Sequence, residues 1–153
     1  MLTKLQQFFN QYLSNNTEIP VPLEHRLQLA CAALMVEMLH VDEQVTEEEE
    51  TKLKQLIKQR FALNTAEIES LIDLAHNEKH EATDYYEFTS LLNKHYSQQQ
   101  KIKLVEDLWL LAFADNQLDK HEEHLLRRLA DLLHVPHQAF MQTKYKTLNQ
   151  ISD

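Results

Sequence analysis

Glycine is absent from the 153 residues. Phosphate-cradling loops, dinucleotide-binding turns, hydrolase nucleophile elbows and two-residue hairpins need backbone that only glycine adopts at low cost. Function classes built on those motifs are excluded. Cysteine occurs once, as Cys31, so no internal disulfide can form, and a reducing compartment is the simpler setting. Bases are in short supply: 15 Lys and Arg against 24 Asp and Glu leave a net charge of -9. That balance argues against nucleic-acid binding, which needs a basic surface, and against charge-driven docking on anionic membranes. Long apolar runs are missing too. The longest, Leu29–Val36, falls far short of the roughly 20 residues a membrane span needs. The N-terminal residues lack a signal peptide's apolar core, so the expected location is the cytoplasm, with no membrane insertion.

What remains is helical. Hydrophobic residues make up 43% of the chain, enough for a packed core, and three prolines leave few breaks. Helix starts are marked by a Ser, Thr, Asp or Asn with Glu or Gln three residues later: Thr46/Glu49, Asn64/Glu67, Ser97/Gln100 and Asp119/Glu122. Thr83 or Asp84 opens a further helix, and Pro22 and Pro136 suit first turns. The spacing predicts eight helices, over 2–14, 21–41, 46–61, 65–79, 84–95, 98–114, 119–133 and 136–147, and no strand. Residues 1–20 read as an N-terminal helix and linker, and 21–150 as one helical domain. The first helix has an apolar face of Phe8, Phe9, Tyr12 and Leu13, expected to pack on the bundle. Residues 27–41 and 102–114 are apolar on most of their circumference and are predicted to be buried, with Met35, Trp109 and Phe113 in the core.

A shift of 73 positions lays 34–50 (LMVEMLHVDEQVTEEEE) on 107–123 (DLWLLAFADNQLDKHEE). Each unit is a buried helix, a short acidic segment and a capped amphipathic helix. The expected fold is an all-α, single-domain bundle of seven to eight helices with an internal pseudo-twofold repeat. Residues 42–50 carry six acids and no base, and residues 115–123 carry four acids and Lys120. Together these segments hold a net charge equal to that of the whole chain. If the units pair symmetrically, the two acidic segments form one patch.

Oxygen donors recur at alternate positions in both segments: Asp42, Gln44 and Thr46, then Asp115, Gln117 and Asp119, with Glu49 and Glu122 in the following helical turn. Hard divalent cations take such donors. The pattern resembles half of an EF-hand, but the positions for its Gly and bidentate Glu hold Glu47 and Leu53, and Lys120 and Leu126. The same residues have a purely structural reading. Glu49 and Glu122 can close capping boxes, and acids favour the positive end of a helix.

Other groups read more plainly. His76/His80 at i, i+4 and His121/His124 and His134/His137 at i, i+3 offer metal-chelating spacing without a third ligand. Cys31, in an apolar helix with no basic neighbour, reads as a buried inert thiol. Glu37 is the only acid within 27–41. An exposed helix edge is the simplest place for it; a buried position would demand a partner, such as a cation held by the nearby segment. No nucleophile–base pair or complete metal triad stands out, so no enzymatic activity is expected.

The paired motifs VEMLHVDEQVTEEEE and LAFADNQLDKHEEHLLRRLADLL resemble the tellurite-resistance TerB-like family over roughly residues 23–145. The shared pattern is an apolar helix end, Asp-Gly, two residues, a capping residue with Glu three beyond it, and a leucine-rich helix. The second motif matches better. The glycine position is Glu43 in one motif and Asn116 in the other. The resemblance implies an all-helical, pseudo-symmetric domain with an acidic patch for a divalent cation (Ca, Mg, Mn or Zn), in a metal- or envelope-stress setting. Similar domains are attached to J-domain co-chaperones and to membrane-associated stress-response complexes. Carried over by residue, the implied metal positions are Asp42, Glu49, Asp115 and Glu122, with Glu50 and Glu123 secondary. The alternative is a protein-interaction adaptor whose acidic segments meet a basic partner with no metal bound.

Overall fold

The computed structural model describes residues 7, 8, 10, 11, 22–40, 46–77, 82–113 and 120–152. Among them are seven α-helices and no strand: α1 (Leu23–His40), α2 (Glu47–Arg60), α3 (Thr65–Asn77), α4 (Tyr86–His95), α5 (Gln98–Ala112), α6 (Lys120–Leu132) and α7 (His137–Ser152). The all-α expectation holds. Of the expected helix at 2–14, Gln7 and Phe8 are described as helical, and Phe8 is buried in the core.

Local chemistry sets the helix boundaries. The Pro22 carbonyl accepts the first hydrogen bond of α1, from Arg26 N–H at 3.0 Å, and the Pro136 carbonyl accepts that of α7, from Phe140 N–H at 2.9 Å. Each proline thus sits one residue before the assigned helix, where its missing donor is not needed. Two reciprocal capping boxes form as the spacing predicts. Asn64 Oδ1 accepts from Glu67 N–H at 2.8 Å, while Asn64 N–H donates to Glu67 Oε1 at 3.0 Å. Ser97 and Gln100 do the same at 3.2 and 2.8 Å. Glu47 to Glu50 crowd the first turn of α2, and Lys58 and Arg60 sit in its last, both matching the helix dipole.

The start of α4 departs from expectation. A 3-10 turn, Ala82–Tyr85, precedes it, and Tyr85 occupies the N-cap position with no side-chain capping bond. Tyr85 is fixed instead by burial and by a distant partner described below. A local capping signal is superseded there by a tertiary contact.

The core is built around α1. Every residue from Leu29 to Met38 is buried, which is why this helix is apolar all round. It packs against α2, α3, α4, α5 and α6. The second apolar helix, α5, packs against α1, α6 and α7. Met35, Trp109 and Phe113 lie in the core as expected, at 0%, 0% and 6% exposure. Trp109 stacks on Phe113 and Phe140, with ring centroids 5.5 and 5.0 Å apart. Thus the two apolar helices meet each other, and each also meets the amphipathic helix that follows it.

With no glycine available, α6 ends on a histidine. His134 takes φ 59°, Val135 N–H bonds to Ala130 O at 2.9 Å, and His134 N–H bonds to Asp131 O at 3.0 Å. This is the Schellman arrangement, with buried Val135 supplying its apolar contact. A side chain with a Cβ is strained in this conformation by roughly 1–2 kcal/mol. His134→Gly should therefore raise stability by about 1 kcal/mol and the melting temperature by about 2–4 °C, read by calorimetry. An unchanged or lower melting temperature would show that strain here is negligible.

Candidate functional site

Among the described residues, the acids singled out in the two segments stand in the first turns of α2 and α6. Asp42 and Asp115 lie outside the described residues, as do Glu43, Gln44, Val45, Gln117 and Asp119. Glu49 stands in the first turn of α2, half-buried. Thr46 caps that helix: its hydroxyl oxygen accepts from Glu49 N–H at 3.2 Å, and the hydroxyl donates to Glu49 Oε1 at 3.3 Å. Glu49 is thereby tied to its own cap, leaving its second carboxylate oxygen outside that contact. Glu122, in the first turn of α6, is buried at 8% exposure. Of the secondary positions, Glu50 is half-buried, and Glu123 accepts from Lys144 Nζ at 2.9 Å.

Glu37 overturns the expectation of an exposed helix edge. It is 4% exposed, and its Oε2 accepts from the Tyr85 hydroxyl at 2.8 Å. A carboxyl group placed in a helix buried on every side needs such a donor to offset its lost hydration. Tyr85 comes from the 3-10 turn, which also packs against α6. Glu37 thus links the C-terminal part of α1 to the turn that borders α6. The partner lies 48 residues away, beyond the reach of local spacing rules. A lone acid in an apolar run was the visible signal.

A second polar cluster lies at the other half of α1. The Cys31 thiol donates to Tyr96 Oη at 3.3 Å. Burial above all, with a smaller contribution from the nearby Asp107 carboxylate, pushes the thiol up to about 12 against the lowering effect of the Tyr96 contact. Burial also raises Tyr96. Asp107, on α5, lies 3.1 Å from Arg60 Nη2 and 3.8 Å from Lys103 Nζ. Burial nevertheless holds its carboxyl above the usual range, outweighing both cations. Cys31 is buried, as its sequence context predicts.

The described histidines assemble no metal centre. His80 and the side chain of His76 lie outside the described residues, and His121, His124, His134 and His137 are exposed. Among the described residues no three or more His, Cys, Asp or Glu groups gather as a metal site. Sequence reasoning missed Lys144. Its ammonium group answers Glu123 and lies 5.7 Å from the centroid of the Trp109 ring, joining the second acidic motif to the aromatic stack.

Among the described residues no helix is long and apolar enough to cross a membrane. Residues 28–145 match the family of tellurite resistance protein TerB. No curated protein and no solved structure gives a match. The chain belongs to the TerB family, as the paired motifs imply.

Two outcomes follow from this geometry. Tyr85→Phe removes the donor to a buried carboxyl and should cost about 1–3 kcal/mol, measured by urea denaturation; a neutral substitution would mean that Glu37 is satisfied without it. Cys31 in the native protein should resist alkylation at pH 8 and react fully once the chain is unfolded. Rapid native labelling would contradict its burial.

Proposed function

We propose that this TerB-family chain is a non-catalytic, cation-responsive helical module of tellurite-resistance type. Its two acidic segments hold a divalent cation through Asp42, Glu49, Asp115 and Glu122. The observation that carries this reading is the burial of Glu122 on the first turn of α6, directly after the second acidic segment. A carboxylate withdrawn from water gains more from a cation than one in solvent. The family match and the confinement of the whole charge excess to two corresponding segments support the same reading. Oxygen donors of this kind suit calcium, magnesium or manganese better than zinc. The only thiol is buried, with its pKa pushed up to about 12, which supports a non-catalytic role. The cytoplasm is the proposed location.

The engagement of Glu49 with Thr46 favours a second reading. There the acids only cap helices, and the acidic segments meet a basic partner protein without metal.

Thermal melting with calcium, magnesium, manganese and zinc separates the two. A cation that binds the folded state at 100 times its Kd stabilises it by about 2.7 kcal/mol, so the melting temperature should rise. Asp42→Asn combined with Asp115→Asn should abolish that rise while leaving the cation-free melting curve in place. A melting temperature indifferent to all four ions would reject the cation reading and leave the adaptor.

A further inference from the structure

Helix α6 has two unlike faces. Inward it buries Glu122, Leu125, Leu126, Leu129 and Ala130. Outward, the exposed positions from 120 to 128 are Lys120, His121, His124, Arg127 and Arg128, with no exposed acid until Asp131. His124 sits one turn before both arginines, at i, i+3 and i, i+4, so the three side chains share one surface. Several basic groups elsewhere are answered within the chain: Lys103 and Lys146 by Glu106, Arg60 by Asp107, and Lys144 by Glu123. Among the described residues His124, Arg127 and Arg128 make no hydrogen bond or ion pair. These three side chains form an unanswered basic strip on a chain with an excess of nine negative charges.

The complementary surface belongs to the same chain. The first turn of α2 carries Glu47, Glu48, Glu49 and Glu50, of which Glu47 and Glu48 are fully exposed. We propose that the outer face of α6 docks the acidic first turn of α2 in a second copy of this chain, Arg127 and Arg128 taking the carboxylates of Glu47 and Glu48. Guanidinium groups suit this task, since their planar fork matches a carboxylate and they are weakly hydrated. Both surfaces are held by helices whose inner faces are packed, so little main-chain ordering is needed on contact. The two patches differ, so the contact is heterologous and extends into rings or open chains. The net charge of each copy opposes approach. The association is therefore weak, strengthens with protein concentration and dissolves in salt, because it rests on short-range pairs between exposed charges. It does not depend on a bound cation.

Sedimentation velocity on the full chain tests this at low and high ionic strength. At low salt the wild-type coefficient should rise with concentration, and salt should remove the rise. Arg127→Glu with Arg128→Glu should remain monomeric throughout, as should Glu47→Arg with Glu48→Arg. Glu47→Gln with Glu48→Gln, which spares the helix end a reversed charge, should weaken the rise severalfold. Mixing the two charge-reversed variants restores opposite charges across both contacts, so the concentration-dependent rise should reappear. Circular dichroism confirms that each variant is folded. A wild-type chain that stays monomeric, variants that associate as the wild type does, or a mixture that stays monomeric would overturn the proposal. So would binding by the α6 face to phosphatidylglycerol vesicles in place of a second copy.

Discussion

The structure depends on one helix being free of solvent on every side. From Leu29 to Met38, α1 has no exposed residue, and five other helices pack around it. Burying a large aliphatic side chain stabilises a fold by about 1.5–3 kcal/mol, and this segment concentrates several such residues in under three turns. The same burial dictates the environment of every polar group placed on the helix. Glu37 can sit there because Tyr85 donates to it, and Cys31 because Tyr96 accepts from its thiol. Neither partner is on α1. The central helix therefore recruits the 3-10 turn and the residue that ends α4 as the polar complement of its own core.

Much of the architecture was legible because its signals are local. Capping boxes at Asn64 and Ser97 act over three residues and form as read. Apolar periodicity identified α1 and α5 as buried, because a helix apolar on all faces has no other stable place. The signals that failed were those a tertiary contact supersedes. Glu37 read as a helix edge because an isolated carboxyl normally seeks water, and nothing within 40 residues announces Tyr85. The start of α4 shifted for the same reason, since Tyr85 answers to Glu37 and not to a cap. The candidate site is legible as composition: two acidic segments at corresponding places in a repeat, with Glu49 and Glu122 on helix first turns.

Charge is distributed with the same economy as the core. Acids gather at the start of α2 and bases on the outer face of α6, while ion pairs join α2 to α5, α6 to α7 and α5 to α7. Pairs with an exposed lysine, such as Lys146–Glu106, contribute little to stability, typically under about 1 kcal/mol each. Charges left on the surface act on encounter more than on the fold.

Trp109 is the only tryptophan in the chain, and it lies wholly out of solvent between two phenylalanine rings, under the Lys144 ammonium. Its indole is therefore a built-in fluorophore. Phe113, stacked on it, borders the second acidic segment, and Lys144 reaches Glu123 at the end of that segment. Emission from this one ring should respond to events at the second acidic segment, giving an optical report on that half of the repeat.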